Sequence, residues 1–305
     1  NFEDRTFRLG FVNSMYCIAY PVGDALSGIL TVNLGFIIVF LICVSINCVA
    51  LWIGIYFIED TSVKYDPASV ETFTDQIWGN VKVAIRKRPN TSRKIILLTL
   101  VAAPLVRSPL VGEYSVLYLF VRYKFGWTET IYGYYAAFQL FGLFVGAIFT
   151  LGFLSKKLGM EDSKLGLIAS AMDMVSATLY TLVQTSWQMC VVPVFDVFHG
   201  AAQSICTSIL TKHVESNELA KITSVKTFLE SIVPSLATPL YNFVYIQTFE
   251  ILPGAHYLLS VCLGLPIFII FWSIRSSEAE LKLAQKKPSV CFDPKIESPA
   301  DLSTT

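Results

Sequence analysis

Eight long apolar stretches alternate with short polar segments along this chain. About 20 mostly apolar residues suffice for a helix to cross the hydrocarbon core of a bilayer. By that measure the spans are Leu9–Leu30, Asn33–Ile58, Ile95–Val121, Thr130–Leu154, Leu165–Gln184, Trp187–Leu210, Ile222–Ile246 and Tyr257–Ile274. No charge lies between Asp24 and Glu59. That stretch is too long for one span, so it must hold a tight turn, best placed at Asn33-Leu-Gly35. One long polar loop, residues 59–93, separates the second and third spans. It contains Pro67, Pro89 and a short amphipathic helix over Val70–Ile85 with a basic end. Such a helix suits an anionic membrane surface, and a solvated linker fits equally well. Residues 276–305 are rich in Lys, Glu, Ser and Pro. They predict a short helical continuation and then a disordered tail.

The loops add orientation. Lys82, Arg86, Lys87, Arg88, Arg93 and Lys94 crowd the long loop, and Lys156, Lys157, Lys164, Lys212 and Lys221 mark alternate loops beyond it. Arg5 and Arg8 precede the first span, and Arg275, Lys282, Lys286 and Lys287 follow the last. By the excess of basic residues on the inner side, both ends are expected in the cytoplasm, as an even number of spans requires. The sequon Asn90-Thr-Ser92 then falls on the wrong side for glycosylation. Composition agrees with a membrane protein: 54% of residues are hydrophobic, only 15% are charged, and the mean hydropathy is +0.58. Soluble domains carry about 25% charged residues. Lys+Arg and Asp+Glu balance at 23 each, which argues against a nucleic-acid partner. Seven cysteines show neither a disulfide framework nor metal-ligand spacing, and no cofactor or metal is expected. The absence of HExxH and GxSxG motifs argues against an enzyme.

Charges inside spans are the candidate chemistry, because an ionisable group at membrane depth costs at least about 2.5–3.5 kcal/mol unless it faces protein or water. Lys94–Trp127 contains Arg107 and Glu113 together with Pro104, Pro109 and Gly112. This predicts a broken, cavity-lining helix. At ~1.5 Å per residue, Glu113 lies ~13 Å below the outer end of its span, and Asp196 and His199 lie ~12–17 Å below theirs. All three fall near the midplane, where transporter sites are found. Asp196 and His199 are three apart, share a helix face and can titrate near neutral pH; a plain interhelical hydrogen bond is the bland alternative. Arg107 serves either an anionic solute or a local carboxylate. Gln139, Tyr114, Tyr118, Tyr132 and Tyr135 are further solute contacts or membrane-edge aromatics. Lys226 and Glu230, four apart, and Asp24 are expected to be structural, the first two as an ion pair. Asp173 has no evident role.

Certain motifs carry a family resemblance. Gly152-Phe-Leu-Ser-Lys-Lys-Leu-Gly159 resembles the short glycine-rich basic turn of major facilitator proteins. Arg5-Thr-Phe-Arg8, Leu26-Ser-Gly28, Gly112-Glu-Tyr-Ser-Val-Leu-Tyr-Leu119, Phe125-Gly-Trp127 and Gly133-Tyr-Tyr resemble solute carrier family 46, the group of the proton-coupled folate transporter and the thymic stromal cotransporter. The resemblance implies an all-α polytopic membrane helix bundle of major-facilitator type with eight of its twelve transmembrane helices present, a fragment covering helices five to twelve. Residues 1–58 would be the last two helices of the N-terminal half, 59–93 the cytoplasmic central loop, 94–275 the C-terminal six-helix half, and 276–305 the tail. In that frame the polar spans fall at cavity or interface positions, and only Asp173 lies on a nominally outer helix. Matching the motifs puts Asn13, Pro109 and Thr207 at or near positions where the folate member has ionisable residues, which disfavours folate. The resemblance implies a secondary active transporter that moves a small organic solute by alternating access in a plasma or lysosomal membrane. Proton coupling and an anionic solute are both open. The alternative is a non-transporting receptor or scaffold with the same fold.

Overall fold

The computed structural model describes residues 2–57, 73–88, 92–215 and 217–286. Residues 70–72 of the expected amphipathic helix, most of the sequon and the tail beyond residue 286 lie outside them. Among the described residues every regular element is helical: α1 Phe2–Phe57, α2 Phe73–Ile85, α3 Ser92–Phe125, α4 Glu129–Ile148, α5 Asp162–Leu182, α6 Ser186–Val191, α7 Pro193–Asp196, α8 His199–His213, α9 Leu219–Thr248 and α10 Ala255–Lys286. A π-helical segment, Phe149–Lys157, carries α4 into the basic turn.

Among the described residues, six stretches are long and apolar enough to cross a membrane: Ala19–Phe57, Ser92–Phe125, Glu129–Ile148, Asp162–Leu182, Ser186–His213 and Ala255–Leu281. The first is two helices joined at Gly35, whose φ of 76° and ψ of 161° break the helical path in a region essentially reserved for glycine. The turn thus falls inside the expected Asn33-Leu-Gly35. Helix α9 matches the others in length, with Lys226 and Glu230 buried in it. Pro104 and Pro109 do not interrupt α3, which runs continuously over 34 residues. The expectation of a break there is corrected. Ser108 Oγ donates to the Pro104 carbonyl at 2.8 Å, so this polar group is satisfied within the helix, as an apolar medium demands.

The span expected as one helix over Trp187–Leu210 is one 28-residue stretch, Ser186–His213, whose hydrogen-bond pattern changes near Pro193 and again at Val197 and Phe198 while the backbone stays helical. Gln188 Oε1 accepts the Thr185 N–H at 3.1 Å and starts α6 with a capping box. Pro193 then lacks the N–H that would continue α6, so a new turn, α7, begins with it. Asp196 and His199 flank the second of these changes.

Three apolar clusters stack along the bundle. Ala84, Ile96, Leu100, Leu210, Val214 and Ile222 gather α2, α3, α8 and α9 at the end that bears the basic loops. A middle cluster joins α3, α5, α8 and α10 through residues such as Val106, Ala169, Ile205, Ile267 and Phe271. The far cluster, with Leu117, Phe120, Trp127, Tyr180, Tyr241 and Tyr257, is aromatic. Helix α1 packs against α4 where two of the motifs singled out above meet. A Cβ on Gly28 would lie 2.6 Å from the Glu129 carbonyl oxygen, and one on Gly133 would lie 2.7 Å from that of Asp24.

The basic loops share one end. Arg86 and Arg88 reach Glu218 at 2.9 and 2.8 Å, Lys212 reaches Asp162 at 2.6 Å, and Ser163 Oγ donates to Glu278 at 2.6 Å. At the other end Tyr118 and Arg122 hold Glu129, and Trp127 Nε1 donates to Ser186.

Two expectations follow from this packing. Gly133→Ala should destabilise the α1–α4 contact by about 1–3 kcal/mol and lower the detergent-solubilised melting temperature. Gly142→Ala, in the same helix with open space around it, should leave it unchanged or raise it. The hydrogen bond from Arg88, helped by the charges of Arg88 and Arg86, holds the Glu218 carboxyl below the usual glutamate range. Its contribution is therefore complete above the ordinary value near about 4.3 and lost as pH falls through the depressed one. A melting series from pH 6 to 3 should show that acid loss in the native chain and a smaller loss in Glu218→Gln.

Candidate functional site

Where the middle and far clusters meet, the bundle encloses a polar cavity of about 30 Å³, enough for one or two water-sized groups. Val106 and Ile267 close it on one side, Leu117 and Tyr257 on the other. Its polar lining comes from six elements: Glu113 and Tyr114 of α3, Gln139 of α4, Ser170, Asp173 and Ser176 of α5, Asp196 of α7, His199 of α8, and Tyr257 and Ser260 of α10.

His199 sits at its centre. Its Nδ1 lies 3.2 Å from Asp173 Oδ2 and 4.0 Å from Asp196 Oδ1. Ser176 Oγ donates to Asp196 at 3.2 Å. Glu113 accepts from Ser260, whose hydroxyl is also 2.9 Å from the Tyr241 hydroxyl. Gln139 Nε2 lies 3.4 Å from the Tyr180 hydroxyl. Three polar atoms facing this region are buried without a hydrogen-bond partner: Asp173 Oδ1, Gln139 Oε1 and the Tyr114 hydroxyl.

Close backbone packing makes this convergence possible. A Cβ on Gly146 of α4 would collide with the carbonyl of Val197, and one on Gly200 would lie 2.6 Å from the Leu143 carbonyl. Only hydrogens at these two positions let α4 press directly on the backbone there.

Counting charge decides the cavity's character. Three carboxylates and one imidazole line it, with no lysine or arginine among the lining residues. Asp173, Asp196 and His199 each offer a donor atom within 4.8 Å of the others, a set that could hold a metal ion.

Several expectations need correction. Arg107 is exposed and is absent from the cavity lining, because its position on α3 points away from the face that bears Glu113. Asp24 has no ion-pair partner among the described residues; its backbone carbonyl lies against Gly133 instead. Asp173, left without a role, is the closest partner of His199. The only hint in the sequence was an aspartate inside an apolar span, and helix position argued against it. Tyr118 is engaged with Glu129 and Arg122 rather than the cavity, and Tyr135 pairs with Tyr180. Pro109 and Tyr114 line the cavity, whereas Thr207 donates to the Gln203 backbone. The side chain of Asn13 lies outside those described. Lys226 and Glu230 do form the expected ion pair, at 2.7 Å, and Gln203 also donates to Glu230.

Residues 1–238 match the family model of the Major Facilitator Superfamily. The chain belongs to that superfamily. Two relatives refine the likeness. The probable peptidoglycan muropeptide transporter SLC46 of Drosophila melanogaster is 23% identical over 211 residues, 66% of this chain and 39% of that protein. The lysosomal proton-coupled steroid conjugate and bile acid symporter SLC46A3 of Mus musculus is 23% identical over 275 residues, 85% of this chain and 57% of that protein. The chain therefore spans about half the length of these curated relatives. Superfamily membership and the apolar helices support a multi-pass membrane protein.

The buried pair gives a direct test of packing in this superfamily member. Lys226→Met leaves Glu230 buried without its cation and should cost about 3–5 kcal/mol, read as a fall in melting temperature. The double variant Lys226→Met/Glu230→Met should recover most of the loss.

Proposed function

We propose that this protein is a secondary active transporter of a small organic solute, driven by alternating access and coupled to protons. One observation carries the proposal: three carboxylates and a histidine share a water-sized cavity inside an apolar bundle, without a lysine or arginine to balance them. Such a cluster is costly in a membrane and is retained where it serves transport. Proton uptake neutralises Glu113, Asp173 or Asp196, and the cavity can then close without trapping net charge. Proton release restores the negative site and favours a hydrated, open one.

In this proposal α3, α4, α5, the α6–α8 unit, α9 and α10 form the six-helix C-terminal half. The two segments of α1 belong to the other half, and the halves rock against each other while the cavity stays within the C-terminal half. The basic loops at one end support placing that end, with both termini, in the cytoplasm. The relatives' names support a plasma or lysosomal membrane and put a steroid conjugate, a bile acid and a muropeptide on the first panel of solutes.

Purified protein in liposomes loaded with a pH-sensitive dye tests the proposal. Flux of a transported solute should follow an imposed proton gradient and move protons with it. Glu113→Gln should reduce gradient-driven flux at least tenfold without altering the melting temperature. Folded protein that moves no solute at any imposed gradient would instead be the non-transporting receptor or scaffold.

A further inference from the structure

Resting on the transporter proposal, we infer the chemistry of the solute group that enters the cavity: it is a primary ammonium group of a small organic amine. Three independent features lead there. The first is charge. Glu113 and Tyr114 face the cavity from α3, Asp173 from α5, Asp196 from α7, His199 from α8 and Tyr257 from α10. No titratable group comes from α4, which supplies Gln139. The set is acidic, and the cations that an anionic solute would need are elsewhere. Lys226 is committed to Glu230 at 2.7 Å, and the exposed Arg107 is not among the lining residues.

The second feature is the kind of hydrogen-bonding capacity left over. Gln139 is only 6% exposed, yet its Oε1 has no partner, and neither has Asp173 Oδ1. Both atoms accept hydrogen bonds and cannot donate them. Their complement is a donor, and the third unpartnered atom, the Tyr114 hydroxyl, can accept from that donor as well as donate. An ammonium group brings three N–H donors and no acceptor, which matches both the polarity and the charge of the site. The third feature is size. About 30 Å³ admits a group no larger than one or two waters, so the solute places only its charged tip here, with the rest of the molecule outside.

Protons and the ammonium group then compete for the same carboxylates. An amine that enters as its ammonium form displaces one proton from the acidic cluster, and the cavity's net charge is unchanged. Coupling by this route is exchange of amine for proton.

Calorimetric titration of the purified full chain tests this with three near-isosteric probes at pH 7.5: phenethylamine, 2-phenylethanol and 3-phenylpropionate. The amine should bind at least tenfold more tightly than either of the others and lose at least tenfold in affinity at pH 5.5. Asp173→Asn should weaken it at least tenfold, and Gln139→Leu, which changes no charge, should weaken it too. Equal or tighter binding of the alcohol or the carboxylate overturns the inference. So does binding of Na⁺ or Zn²⁺ alone with the same Asp173 dependence and no amine binding, which would assign the site to a metal ion. If gradient-driven flux persists while the amine shows no preference, only this inference falls. If flux also fails, the transporter proposal falls with it.

Discussion

Three carboxyl groups and a histidine crowded together inside an apolar bundle, with no lysine or arginine beside them, are the constraint around which this structure is arranged. Asp173, Asp196 and His199 meet within 4.8 Å of one another, and Glu113 shares their cavity. Ionised carboxylates repel strongly where no water screens them, so the protein must supply hydrogen bonds, a protonated imidazole or an exchangeable cation. It supplies hydrogen bonds through Ser176 and Ser260 and places the His199 ring between Asp173 and Asp196. The rest of the architecture keeps the cluster narrow and shared among six elements.

Close backbone contact makes the narrowness possible. Gly146 and Gly200 bring α4 onto the segment between α7 and α8, and Gly28 and Gly133 bring α1 onto α4. Gly112 opens α3 to the Tyr241 ring, and the Tyr241 hydroxyl meets the same serine that serves Glu113. Packing and polarity are thus linked: a methyl group added at one of these glycines would move a wall of the cavity. By contrast, the Lys226–Glu230 pair with Gln203 is closed upon itself and balanced in charge, as a structural pair should be.

The relatives within the superfamily carry names that span muropeptides, steroid conjugates and bile acids. At 23% identity such names set expectations for the fold and class of activity, while selectivity has to come from the residues of this cavity. Those residues are acidic. An anionic conjugate finds no free cation in it, and that contrast is what gives the cavity a specific chemistry within a general transporter frame.

The Gly35 turn, membrane character and the Lys226–Glu230 pair were legible in the sequence. Each depends on local facts: run length, backbone preference, or i,i+4 spacing on one helix. Glu113, Asp196, His199 and Gln139 were recognised as candidates because polar groups stand out in apolar spans. Their convergence was not legible, nor was the part played by Asp173. The direction in which a residue on one helix faces another depends on the rotation and crossing of both, and no spacing along the chain encodes that. Arg107 shows the same limit from the other side, six residues from Glu113 and yet directed away from the cavity. Pro104 and Pro109 suggested a break in α3, but neighbouring helices and Ser108 carried α3 through. Local chemistry determined which helices form and which residues are unusual in them. Only tertiary packing decided which of those residues share a cavity, because that cavity is made by helices distant in sequence and close in space.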